Sequence, residues 1–402
     1  MKTALRYLID ATIGVLLVVA VGVVFRLDQP RAEPDEGPRL VEVAQEEPIS
    51  IAPPPLRLAV TYCPRDRAEY DDMGRLLKEL GQGYQYTPIH QNDLAEYDRI
   101  AQFDVIFVTC GTYPKEWLEA ESLGKGVRPG TESRRMNRRM FDRARDALRR
   151  FVASGKTLYV SDQMYTLLTY AFEEFQDPST SSSSSSKLGD RQTVEARVVD
   201  PGLRDQLGGE LALRFDLPDW FPALFTSRDS TVFLEGSYRT LDGGTETAPL
   251  LVKLPFEQGA LIFTSFHNEK QNSEKEYQLL KYLVFATVTA REVSKVTRTM
   301  LAGGFSPRKQ SLLSASTESS SVTQSHRNRT TGRLQFVLGF EPRGARLRLK
   351  VVGPDGKVLE KEGTSTFTLT IDKPQVGDWT YSVTALQVPY ENFPFTLTVG
   401  EE

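Results

Sequence analysis

Gly259-Ala-Leu-Ile-Phe-Thr-Ser-Phe-His-Asn-Glu269 is the stretch from which the fold can be read outward. An unbroken run of strand formers delivers a histidine, and an acid two residues later, to the C-terminal end of a buried strand. Only three histidines occur in the chain, His90, His267 and His326. Open α/β sheets place ligands and reacting groups at the carboxyl ends of their strands. Three earlier runs read in the same way. Leu56-Arg-Leu-Ala-Val-Thr-Tyr62 ends at Cys63, Phe103-Asp-Val-Ile-Phe-Val-Thr109 ends at Cys110-Gly111, and Thr157-Leu-Tyr-Val160 ends at Ser161-Asp162. A further strand is expected over residues 84–89.

Helical spacing separates these runs. Met73, Leu76, Leu77 and Leu80 fall on one face, and Gly81 and Gly83 end that helix. A short helix is expected over 94–100. An arginine-rich helix over 134–154 turns Met140, Ala144, Ala147, Leu148 and Phe151 inward, and Glu274 opens the last helix. Strands alternating with helices predict an α/β domain over residues 56–291, with a flavodoxin-like, mainly parallel sheet and helices on both faces. Residues 177–190 hold six consecutive serines and read as a mobile surface loop. Residues 193–199, 211–215, 231–234 and 248–254 are candidate strands.

Residues 292–331 turn Ser/Thr-rich and read as a linker. From 332 to 402 the style changes. Leu334-Gln-Phe-Val-Leu, Arg346-Leu-Arg-Leu-Lys-Val-Val, Thr366-Phe-Thr-Leu-Thr-Ile, Trp379-Thr-Tyr-Ser-Val-Thr and Phe395-Thr-Leu-Thr-Val alternate, with Pro354-Asp355-Gly356 and Val376-Gly377-Asp378 as turns. Short strands at regular spacing predict a small all-β sandwich.

At 402 residues the chain has room for two folded units, and 40% hydrophobic with 25% charged residues is an ordinary balance. A net charge of −4 gives no pull toward nucleic acid. Two cysteines exclude a disulfide-dense scaffold and a four-cysteine zinc site. At the N-terminus, Lys2 and Arg6 precede an apolar run. A cleaved signal peptide would need small residues that Val-Gly-Val-Val-Phe-Arg does not supply, and a core helix would not be followed at once by a Pro- and acid-rich stretch. The expectation is a cytoplasmic tail over 1–7, an N-terminal transmembrane helix as signal anchor over 8–26, and an extended tether over 27–55 rich in proline. The folded part would then lie outside the cytoplasm at the cell membrane, anchored through residues 8–26.

Over residues 56–291 the chain resembles the class I glutamine amidotransferase-like superfamily, including its trehalose-utilisation branch. The carriers are Phe103-Asp-Val-Ile-Phe-Val-Thr-Cys-Gly111, Leu148-Arg-Arg-Phe-Val-Ala-Ser-Gly155, Thr157-Leu-Tyr-Val-Ser-Asp162 and Phe266-His-Asn-Glu269. The resemblance implies that His267 and Glu269 match a His-x-Glu pair on a late strand. At the turn where that superfamily carries a cysteine nucleophile between glycines, this chain has Ser161-Asp162-Gln163. The C-terminal region is similar to the pre-peptidase type of β-sandwich, on the strength of Gly377-Asp-Trp-Thr-Tyr-Ser-Val.

The candidate site is therefore His267, Glu269, Ser161 and Asp162. His267 would act as base, Glu269 or Asp162 would orient it, and Ser161 would be the nucleophile. The alternative is an inherited fold with a histidine bonded at the sheet edge. His267, Glu269 and Asp162 suit zinc by type, but no local spacing supports a metal site; no metal and no cofactor are expected. Cys63 and Cys110 end neighbouring strands in a flavodoxin-like order, which favours a disulfide over two buried thiols. The leading expectation for function is non-catalytic binding of a small ligand or an envelope protein at the strand-end cleft. A hydrolase or sugar-modifying enzyme using His267 with Ser161 or Asp162 is one alternative, and an envelope scaffold is the other. No nucleic-acid partner is expected.

Overall fold

Nine runs, some apolar throughout and some alternating, assemble into a single sheet in the computed structural model. The structure describes residues 41–43, 56–62, 71–111, 113–120, 134–176, 187–227, 229–271, 273–315, 320–341 and 344–402. In chain order the sheet strands are β1 Leu58–Tyr62, β2 Tyr86–His90, β3 Val105–Val108, β4 Thr157–Ser161, β5 Gln192–Val198, β6 Glu210–Phe215, β7 Thr231–Arg239, β8 Thr245–Phe256 and β9 Gly259–Thr264. Their spatial order is β2-β1-β3-β4-β9-β8-β7-β5-β6.

The expectation of a mainly parallel, flavodoxin-like sheet is corrected by this pairing. β2, β1, β3, β4 and β9 run parallel, but β9-β8, β8-β7, β7-β5 and β5-β6 are antiparallel. The sheet is mixed. The physical reason lies in the side-chain pattern. β3, β4 and β9 are buried at every position, as strands covered on both faces must be. β5 and β6 alternate buried and exposed residues, the mark of antiparallel strands with one face toward water.

Helices Met73–Glu79, Pro201–Leu207 and Glu274–Val288 pack with one buried cluster of the sheet, and Arg138–Ala153 and Tyr165–Ala171 pack with a second. Gly259 begins β9 because a Cβ there would stand 2.2 Å from the carbonyl oxygens of Val152 and Lys156. Several arginines of Arg138–Ala153 face acids and rings of the protein itself. Arg149 pairs with Glu174 at 2.8 Å, Arg143 reaches Glu96 at 3.5 Å, and Arg150 stacks over Tyr97.

The C-terminal region has two sheets, antiparallel except for one added edge strand, sharing one apolar core from Leu313 to Val399. It starts earlier than the sequence reading placed it. Residues inside the expected 292–331 linker form helix Ala290–Ala302 and strands Ser306–Ala315 and Ser321–Asn328. Ser306–Ala315 pairs with Phe393–Glu401, and Ser321–Asn328 with Gly377–Gln387. Val41–Val43, within the expected 27–55 tether, pairs in parallel with Val358–Gly363. Both folded regions belong to one compact unit, Val41–Glu402. Across their junction Tyr84 donates to the Asn392 carbonyl at 2.6 Å, and Asn392 donates to the Leu80 carbonyl at 3.1 Å.

The expected transmembrane helix has no counterpart among the described residues. Among the described residues no helix is long and apolar enough to cross a membrane. The longest, Arg138–Ala153, has 16 residues, about 24 Å of helix, and is rich in arginine. Residues 8–26 lie outside the described residues, as does most of the serine loop, 177–186.

Candidate functional site

Parallel pairing brings the C-terminal ends of β3, β4 and β9 side by side, so whatever follows each strand shares one edge. Cys110 follows β3, Asp162 follows β4, and His267 follows β9. A fourth segment arrives from the antiparallel half. Gln271 accepts from the Arg214 N–H at 3.1 Å and donates to its carbonyl at 2.9 Å, which carries the end of β6 back to the same edge. Asp216 follows directly.

His267 stands at the centre, 4% exposed. Its Nδ1 lies 2.9 Å from Asp216 Oδ1. Its Nε2 lies 3.1 Å from Asp162 Oδ2 and 3.2 Å from Cys110 Sγ. The thiol points at Asp162 Oδ2 at 3.6 Å. Asp162 is held in the left-handed region at φ 40°, a conformation that strains a side chain with a Cβ. Its Oδ1 accepts from the Phe221 N–H at 3.1 Å. The turn after β4 thus takes a left-handed residue without any glycine.

Burial alone would lower the pKa of His267, but its hydrogen bonds to Asp162, Asp216 and Cys110 outweigh that and hold it above its ordinary value. Burial pushes the Cys110 thiol up to about 11; the hydrogen bond to His267 opposes this and the Asp162 charge adds to it. Burial would raise Asp216, but the hydrogen bond and charge of His267 bring it below its ordinary value.

Beneath this group lies a fully buried second layer. Asp71 accepts from Ser161 Oγ at 2.5 Å and from the Asn268 N–H at 3.1 Å. Ser161 Oγ accepts from the Cys110 N–H at 2.8 Å. Asn268 donates to Tyr159 Oη at 2.9 Å. One carboxylate therefore ties together the segments that carry Cys110, Asp162 and His267. Burial raises the Asp71 pKa against the charge of His267 and the bond from Ser161.

Of the expected site residues, His267 and Asp162 come together. Ser161 is fully buried and its hydroxyl proton is directed at Asp71, so it belongs to the support rather than to the exposed face. Glu269 lies in the turn Asn268–Lys270, and its side chain is outside what the structure describes. The expected Cys63–Cys110 disulfide is corrected: Cys110 is a buried free thiol turned toward His267, and Cys63 lies outside the described residues. Asp216 and Asp71 escaped the sequence reading altogether. The signal for Asp216 was an acid ending an alternating strand; Asp71 gave none beyond preceding a helix.

Above the group opens a cleft of about 490 Å³, lined also by Gly111, Tyr113, Leu118, Gln163, Thr166, Leu217, Pro218 and Asp219. Imidazole, thiol and carboxylate meet at its floor, an arrangement able to exchange protons or hold a cation.

No family model matches the chain, and no curated protein does. Among solved structures it is similar to Cytoplasmic Protein STM3548 from Salmonella typhimurium, at 10% identity and TM-score 0.32, over 56% of this chain and 97% of that one. A beta-galactosidase from Bacillus circulans sp. alkalophilus matches at 12% identity and TM-score 0.31, over 83% of this chain and 42% of that one. Likenesses of this strength decide neither fold nor function.

Proposed function

We propose that the strand-end cleft is the active site of a hydrolase acting on a small polar substrate, with His267 at the reacting centre. The observation that carries this reading is the convergence of an imidazole, a thiol and a carboxylate on the floor of a cleft, with a second carboxylate, Asp216, bonded to the far side of the imidazole. Buried charges of this kind cost stability unless they are paired, and they gather where chemistry needs them.

The thiol itself is a poor nucleophile here. A thiolate is the reactive form, and a pKa pushed up to about 11 beside the Asp162 carboxylate keeps Cys110 protonated near neutral pH. In this reading water entering the cleft attacks the substrate, its proton passes to the Asp162 carboxylate, and His267, whose pKa is raised, gives a proton to the leaving group. The turn at Asp162, with its φ of 40°, stands where the amidotransferase-like resemblance puts a nucleophile, and that kinship remains part of the proposal.

Ligand binding without turnover is the second reading. It is favoured by the closed set of hydrogen bonds around His267, which leaves its two ring nitrogens engaged. A turnover screen over amide, ester and glycoside substrates separates the two. The hydrolase reading expects a rate that His267→Ala reduces about 100-fold or more. Turnover absent throughout, with His267→Ala changing only ligand affinity, would favour binding.

A further inference from the structure

We propose that Cys110, Asp162 and His267 form a three-ligand site for a divalent transition cation such as zinc, with its fourth position facing the cleft. The proposal rests on the cleft being the functional site but not on hydrolysis taking place there. Three observations carry it.

The first is the donor triangle. Sγ of Cys110, Oδ2 of Asp162 and Nε2 of His267 lie 3.6, 3.1 and 3.2 Å apart in pairs. Ordinary zinc–sulfur, zinc–nitrogen and zinc–oxygen lengths at tetrahedral angles require separations of roughly 3.4–3.6 Å. The ligands need to move apart by only a few tenths of an ångström. All three residues are buried.

The second is the far side of the imidazole. Nδ1 of His267 meets the Asp216 carboxylate at 2.9 Å. A metal-binding histidine commonly donates its other N–H to a carboxylate, which fixes the tautomer and aims the free nitrogen at the metal. Here that nitrogen is Nε2, the one turned toward Cys110 and Asp162.

The third is the placement of Asp162. A carboxylate beside a nucleophilic thiol works against it. A carboxylate beside a thiolate ligand adds the charge that balances a dication. Asp162 is held in a strained backbone conformation and fixed by the Phe221 N–H, so its Oδ2 stays in place.

Loading is balanced by proton release. The cation takes the place of the Cys110 thiol proton and of the Nε2 proton that His267 directs at Asp162; both protons leave to solvent. A thiolate, a carboxylate and a neutral imidazole then surround the ion. Tyr113 and Leu217 are among the residues that line the cleft onto which the remaining coordination position would open.

The test uses the full chain, stripped with a chelator and titrated with Co²⁺ alone and then Zn²⁺ alone. The expected result is one ion per chain, with a thiolate-to-cobalt charge-transfer band in the near ultraviolet and tetrahedral ligand-field bands in the visible. Cys110→Ser should remove the charge-transfer band, and Asp162→Asn should weaken binding. Asp216→Asn should weaken it about 10–100-fold without removing a ligand. Circular dichroism of each variant shows whether it folds; if Cys110→Ser does not, Asp162→Asn carries the test. Wild-type protein that binds neither ion, or that binds both unchanged in His267→Ala, would overturn the proposal. A metal-loaded protein without turnover would leave this site standing and remove the hydrolase reading. Turnover that persists after chelation, with no cobalt spectrum, would do the reverse.

Discussion

Asp216 Oδ1 lies 2.9 Å from Nδ1 of His267, and this contact sets which ring nitrogen faces Cys110 and Asp162. Asp216 acts through His267, so it is a positioning residue. Asp216→Asn should lower kcat by about 100-fold or more, with KM little changed, as loss of the orienting carboxylate does in triads. A lower melting temperature with unchanged kcat per folded molecule would reduce Asp216 to a structural role.

Asp71 joins the ends of three strands beneath the site. Asp71→Ala would leave the Ser161 hydroxyl and the Asn268 N–H without their acceptor in a buried layer. Each orphaned group costs roughly 1–3 kcal/mol, so a loss of about 2–6 kcal/mol is expected from urea unfolding. A loss below about 1 kcal/mol would show that the layer reorganises around the gap.

Glu401 supplies the pH-dependent element of the C-terminal region. Burial would raise its pKa, but His326 at 3.0 Å, the Arg329 N–H at 3.1 Å and Arg308 at 3.2 Å bring it below the ordinary value. Its folded pKa is thus lower than its unfolded one. The stability it contributes is present above the unfolded value, about 4.3, and is lost as pH falls through the folded one. The wild-type advantage over Glu401→Gln in urea midpoint should shrink between about pH 5 and pH 3. An advantage that stays constant over that range would contradict this.

Gly202 tests whether strand Ser306–Ala315 belongs to the same body as the nine-stranded sheet. A Cβ at Gly202 would stand 2.2 Å from the Gln310 carbonyl oxygen, which as backbone cannot swing away. Gly202→Ala should cost about 1–3 kcal/mol and speed proteolysis near residues 303–320, as overpacking does. An unchanged unfolding midpoint and cleavage rate would show that this strand docks loosely.

The parallel core was legible because β3, β4 and β9 are short apolar runs that end in chemistry-bearing residues. The mixed sheet was less so, although its signature was present: Gln-Thr-Val-Glu-Ala-Arg-Val and Glu-Leu-Ala-Leu-Arg-Phe alternate, as half-exposed antiparallel strands do. Ser321–Asn328 could not be read as a strand, because Ser, Thr and Gln leave no hydrophobic alternation; its place comes from backbone pairing with Gly377–Gln387. In the site, His267 and Asp162 were legible as strand-end residues. Asp216 and Asp71 were not, because they come from segments that only the three-dimensional fold brings to the edge. Strand adjacency points Cys110 to a disulfide, whereas its sulfur turns toward His267.

Cys110, Asp162 and His267, with Asp216 positioning the imidazole, act as one unit. The most direct measurement is kcat/KM for the best substrate of the amide, ester and glycoside screen, in wild type, His267→Ala and Asp162→Asn. A fall of about 100-fold or more is expected in both variants while circular dichroism shows them folded. Equal kcat/KM in all three proteins would contradict it.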